Sequence, residues 1–168
     1  MENSKPAPIV TGPAEGQSIA MAGNTYRMLA TGKQTNGEFA VMDFLIPPGG
    51  GPGPHAHAGF QESFYVTEGE IEVKSEAGTY IAKAGSFVTI PKGGIVHQFK
   101  NKTDQIAKMI CIVVPAGLEA FFMEAGNPVE TGVLLPPEPV NDEGMKKMKA
   151  LAEQYGQELF PPDYLDKQ

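Results

Sequence analysis

The 168-residue chain contains one cysteine, Cys111, so no disulfide can form within it. Cys111 stands in the apolar run Met109-Ile110-Cys111-Ile112-Val113-Val114. There it reads as a small buried residue rather than a nucleophile or a ligand. Positive charge is also scarce: 13 Lys and Arg stand against 20 Asp and Glu, for a net charge of −7, and no basic cluster occurs. Phosphate contacts need a concentrated basic face, so nucleic acid is not an expected partner. The same shortage argues against an anionic membrane surface. The longest apolar run lies near Ile110 to Val114, far short of the roughly 20 residues that span a bilayer. The opening stretch, MENSKPAPIVTGPAEG, lacks the apolar segment of a secretory signal. Together these shortages give the expectation of a cytoplasmic protein.

What the chain has in quantity is glycine (20) and proline (15). That is too much for a helical bundle and suits short strands joined by many turns. Residues 1–16 read as a polar arm, disordered or laid along a partner surface. Residues 17–116 read as a single barrel. Its expected strands lie at residues 24–30, 39–46, 62–67, 71–74, 79–83, 86–90, 97–100 and 106–114, with tight turns at Glu68-Gly69-Glu70 and Glu76-Ala77-Gly78. Many short strands at even spacing predict an all-β sandwich or barrel. Residues 117–168 form an extension: a short helix over residues 118–124, a Pro-rich connector over 126–140, and an amphipathic helix over 142–155. Asn141 is the expected N-cap of that helix and Gly156 its stop. Met145, Met148, Leu151, Ala152 and Tyr155 make its apolar stripe, expected to pack on the barrel or on a second subunit.

The chain has three histidines. Two stand at i and i+2 in Pro54-His55-Ala56-His57, so on an extended strand both imidazoles face the same side. Glu62 follows five residues after His57, where strict alternation would turn it away. A bend at Ala58-Gly59 is therefore expected, and glycine tolerates unusual backbone angles. His97 lies 35 residues beyond Glu62, past two expected hairpins, far enough to return on a neighbouring strand. Three imidazoles and one carboxylate form a mixed nitrogen and oxygen set suited to one divalent transition metal: iron, nickel, cobalt, manganese, copper or zinc. The lack of thiolates argues against a structural zinc of the finger type. Four protein ligands on a metal that accepts five or six leave open positions, as catalysis requires.

These residues resemble the cupin superfamily. Gly49, five residues, His55-x-His57, four residues, Glu62, six residues and Gly69 reproduce the first cupin motif without departure. Gly85, five residues, Pro91-x-Gly93, three residues, His97, three residues and Asn101 resemble the second, with a turn before His97 one residue longer than usual. The resemblance covers about residues 35–115. It implies a double-stranded β-helix or jelly-roll barrel with a short C-terminal helical extension, and it implies His55, His57, Glu62 and His97 as metal ligands. Barrels of this family often pair through sheet edges, so the resemblance also implies a homodimer.

The layout of the tail, with Leu118, Glu119, Phe121 and Phe122, a Pro-rich linker and LAEQYGQELFPPDY, is similar to small bacterial cupins grouped with quercetin 2,3-dioxygenase. That likeness implies a metal-dependent dioxygenase that oxygenates an aromatic or enol-containing small molecule with dioxygen, with Glu62 as catalytic base. Met42, Phe44, Phe60, Phe64, Phe99, Ile110, Phe121 and Phe122 are the expected walls of an apolar substrate pocket. Two other functions stay open: a metal-dependent isomerase or epimerase of a sugar or small acid, and a non-enzymatic binding module. The region carries few polar residues to hold sugar hydroxyls, namely Gln61, Gln98 and Lys100. A binding module does not need an intact ligand set.

Overall fold

The computed structural model describes residues 7–167. Its strands are β1 (Ser18–Met21), β2 (Asn24–Ala30), β3 (Ala40–Ile46), β4 (His55–Ala56), β5 (Gln61–Glu68), β6 (Glu70–Ser75), β7 (Gly78–Lys83), β8 (Phe87–Ile90), β9 (His97–Lys100), β10 (Ala107–Val114), β11 (Asn127–Val129) and β12 (Glu158–Leu159). Two helices follow the barrel strands, α1 (Leu118–Ala125) and α2 (Asp142–Gln154). One sheet runs β11-β1-β2-β3-β10-β5-β8 and the other β12-β4-β9-β6-β7. The expected all-β barrel with a short helical extension is what the chain forms.

Period-2 alternation builds the interior. On β3, Ala40, Met42, Phe44 and Ile46 are buried, while Val41, Asp43 and Leu45 are partly exposed. On β10, Ala107, Met109, Cys111 and Val113 are buried. Cross-strand pairing lines these residues up in rows. Tyr26, Phe44, Met109 and Val66 form one row; Met28, Met42, Cys111, Phe64 and Val88 form the next. The third row is Ala40, Val113, Glu62 and Ile90, so a carboxylate stands in an otherwise apolar line.

The connections differ from expectation in three places. The turn at Glu68-Gly69-Glu70 does not close a hairpin: β5 pairs with β10 and β8, whereas β6 pairs with β7 and β9. The chain changes sheets there and changes back between β7 and β8. Only one hairpin, β6–β7, therefore separates Glu62 from His97. The connector after α1 contains β11, which pairs with β1. Of the expected arm, residues 1–6 lie outside the described residues, and the part beyond them lies along its own barrel. Thr11 donates to the Leu29 carbonyl at 2.8 Å, and Arg27 donates to the carbonyls of Gly12, Pro13 and Glu15.

Helix α2 starts as its sequence suggests, with the Asn141 side chain accepting from the Gly144 amide at 2.8 Å. Ala152 is buried, and Met148, Leu151 and Tyr155 pack against the core, but Met145 is exposed. After Gly156 the chain returns to the barrel. Strand β12 pairs with β4, placing Leu159 opposite His55, and the Phe160 amide donates to the Pro54 carbonyl at 3.0 Å. Leu165, Phe160 and Tyr164 cover Ala56 and Val96. The Tyr164 hydroxyl donates to Glu76, whose other carboxylate oxygen accepts from the Val96 amide. The tail thus closes the outer side of the strands that carry the three histidines.

Removing residues 157–168 takes away this pairing and uncovers the small apolar cluster. We expect a loss of roughly 2–3 kcal/mol, a drop in Tm of about 5–10 °C, and faster amide exchange at His55 and Ala56. Thermal unfolding and hydrogen exchange on the truncated chain check this.

Candidate metal centre

His55 begins β4, His97 begins β9, and the two are directly paired across the sheet. His57 follows β4, after which the chain bends at Ala58 and Gly59 and crosses to the facing sheet at β5. Glu62 therefore reaches the three histidines from the opposite wall. The expected bend is present, but Gly59 is not among the residues with left-handed backbone. The change of sheet, rather than a glycine angle, reconciles Glu62 with the alternation. The long turn before His97 does use glycine: Gly93 and Gly94 have φ of 117° and 82°. The Gly93 amide donates to the Ala58 carbonyl at 3.2 Å, tying this turn to the crossing segment. The extra residue is absorbed in the turn, and His97 keeps its place opposite His55.

All four side chains are buried, and their ligand atoms lie within 4.8 Å of one another. Each histidine uses Nδ1 on a backbone carbonyl: His55 on Gly53 at 2.9 Å, His57 on Phe60 at 3.0 Å, His97 on Ile95 at 3.0 Å. A carbonyl only accepts, so each Nδ1 carries a proton, and Nε2 is the ring nitrogen turned to the centre. Such outer hydrogen bonds orient the imidazoles of metal sites. The Phe60 ring also stacks on His57, with centroids 4.1 Å apart and planes 13° apart. Glu62 Oε2 lies 3.3 Å from His57 Nε2 and 3.6 Å from His97 Nε2. His97 Nε2 is buried without a hydrogen-bond partner. A convergent nitrogen and oxygen set holding an orphaned imidazole nitrogen is compatible with a metal ion.

Burial lowers the pKa of His55 from 6.5 to about 4, and the nearby charge of His97 adds to this. For Glu62, burial by itself raises the pKa, but the neighbouring imidazoles of His57 and His97 overcome it and hold the carboxyl below the usual range. Cys111, expected to be simply apolar, is buried with its Sγ 3.4 Å from Glu62 Oε1. Burial, followed by the charge of Glu62, keeps its thiol protonated well above the ordinary pKa. Tyr26 is a second residue that sequence reasoning passed over. It points inward from β2, and burial together with the charge of Glu62 raises its hydroxyl pKa. The inward alternation of Asn24, Tyr26 and Met28 is the sequence signal that marks it.

Of the expected pocket residues, Phe60 touches the centre, through His57. Phe64 and Phe99 stand two residues beyond Glu62 and His97 on the same inward faces. They meet at 5.3 Å edge to face, with Phe44 at 6.1 and 6.3 Å from them. Tyr26 stacks on Phe122 at 4.1 Å, and Phe121 faces Tyr155 rather than the centre. Met42 lies among these rings on β3. They form an aromatic core packed ring on ring. Ile110 does not join it: β10 turns its side chain outward, beside Tyr65 and away from Cys111.

Comparison with known proteins fits this geometry. Residues 42–113, spanning β3 to β10 and all four clustered residues, match the family model described as "Cupin domain". The barrel has the cupin fold. Quercetin 2,3-dioxygenase of Bacillus subtilis (strain 168) is 30% identical over 132 residues, which is 79% of this chain but 38% of that protein. The chain thus spans well under half the length of that relative. An RmlC-like cupin from Shewanella frigidimarina NCIMB 400 superposes with a TM-score of 0.58 at 19% identity, covering 68% of this chain and 96% of that one. The barrel also resembles a sugar phosphate isomerase of the cupin superfamily from Silicibacter pomeroyi, with a TM-score of 0.50 at 26% identity over 58% of this chain and 62% of that one. Among the described residues, no helix is long and apolar enough to cross a membrane.

The lowered pKa values carry a stability signature. The unfolded chain takes up protons at His55 below about pH 6.5, whereas the folded chain does so only near 4. Glu62 acts in the same direction at lower pH, because its folded carboxyl resists protonation. The metal-free protein is therefore expected to lose stability as pH falls from about 6.5 to 4. Urea unfolding at pH 7 and pH 5 checks this, and His55→Asn should show a smaller difference between the two.

Proposed function

We propose that the chain is a metal-dependent dioxygenase of the quercetinase-like cupin type, acting on an aromatic or enol-containing small molecule. The observation that carries the proposal is the convergence of three carbonyl-oriented imidazoles and one buried carboxylate on a single point, in a chain 30% identical to a quercetin dioxygenase. A bound divalent metal supplies Lewis acidity and a path for electrons to dioxygen. The protein supplies the rest. Gly53, Phe60 and Ile95 hold the rings of His55, His57 and His97 through their carbonyls. Glu62, ionised at neutral pH, takes the proton of an acidic enol or phenol hydroxyl at a carboxylate oxygen. The aromatic layer of Phe44, Phe64, Phe99 and Phe122, with Met42, offers an apolar border that excludes water from a bound aromatic ring. A homodimer and a cytoplasmic location complete the proposal.

The likeness to a sugar phosphate isomerase favours one other reading, in which the same centre polarises a sugar carbonyl. The inward faces bordering the cluster supply mostly rings and aliphatic groups, which supports the dioxygenase first.

Protein purified without added metal or chelator should carry close to one equivalent of a transition metal by elemental analysis, and His55→Ala should lose it. With flavonols or diketones the parent should consume oxygen. Glu62→Gln should retain part of the metal but turn over at least about 100-fold more slowly. Full metal with no oxygen uptake on any of these substrates, and turnover of sugar phosphates instead, would favour the isomerase.

A further inference from the structure

The two oxygens of Glu62 face different partners. Oε2 points to the imidazoles of His57 and His97. Oε1 lies 3.4 Å from the Cys111 thiol, and no other donor reaches it among the described residues. Cys111 has no exposure, and its cross-strand neighbours are Met42 on β3 and Phe64 on β5, neither of which donates a hydrogen bond. A buried carboxylate oxygen left without a partner is costly, so this thiol is the group that satisfies it.

We propose that Cys111 is a positioning residue for Glu62: its S–H holds Oε1, so that Oε2 alone is presented to the imidazoles and the carboxylate binds a metal through one oxygen. The inference rests on the metal reading above. Without the thiol, Oε1 has no tether and the carboxylate is free to chelate with both oxygens. Carboxylates adopt either mode readily, so a weak donor suffices to choose between them. A thiol is also a weak enough partner to release the carboxylate when it swings to take a proton.

Cobalt(II) is a suitable probe, because its visible absorption reports coordination number. Cys111→Val fills the space but removes the donor; Cys111→Ser keeps a donor. We expect cobalt-loaded Cys111→Val to show weaker visible bands, from the added carboxylate oxygen. Cys111→Ser should restore the bands towards the parent. A Cys111→Val protein with the parent's spectrum overturns the proposal, as does a Cys111→Ser protein that behaves like Cys111→Val. The chain has one cysteine, so the parent shows a single infrared S–H stretching band. That band should shift in Glu62→Gln even without metal, and an unmoved band overturns the contact itself. If the parent takes up no cobalt, the metal reading fails, and with it the claim that the carboxylate binds through one oxygen. A shifted S–H band would then still establish the contact between Cys111 and Glu62.

Discussion

Three backbone carbonyls decide the chemistry of this centre. Those of Gly53, Phe60 and Ile95 hold the Nδ1 protons of His55, His57 and His97, and so turn every Nε2 towards one point. An imidazole free to rotate or change tautomer would lose ordering entropy on each ligation event. Here the fold has already met that cost. The carbonyls are local, two residues before His55 and His97 and three after His57. The loops that enter the two strands thus orient the side chains as well as connecting the sheets.

The rest of the barrel can be understood as support for that arrangement. β4 is only two residues long, and a strand that short has little stability of its own. It is held by β9 on one side and by β12 on the other. The C-terminal segment therefore does more than pack a helix against the barrel, because it completes the sheet that carries His55 and His97. Glu76 extends this support by joining Tyr164 of the tail to the Val96 amide beside His97.

Glu62 is the energetic counterweight. A carboxylate in the row Ala40, Val113 and Ile90 pays a desolvation cost that the imidazoles and the Cys111 thiol offset. Such a group is hard to explain as packing, since an apolar residue of similar size would fill the row with less cost. Its position among three imidazoles is compatible with a metal ion. The same burial keeps Cys111 a thiol and so leaves it a donor to Glu62, with no tendency to compete as a thiolate ligand.

The amino-acid sequence by itself determined the fold class and the four clustered residues. Both follow from short-range rules: alternation on strands, turn residues at fixed intervals, and motif spacings from Gly49 to Asn101. Strand limits such as 97–100 and the capping role of Asn141 are equally local and were legible. What only the tertiary structure decided depends on which strands face each other. Alternation alone could not tell that the chain changes sheets between His57 and Glu62, or that Glu68-Gly69-Glu70 is a crossing rather than a hairpin. It could not pair β12 with β4, because the two are about a hundred residues apart and neither is long enough to announce itself. Ile110 and Cys111 show the limit most clearly. They are adjacent in one apolar run, and only the register of β10 sends Ile110 outward and brings Cys111 to the carboxylate. A strand's period says that neighbours point to opposite sides, but which side is the interior is set by the partner strands.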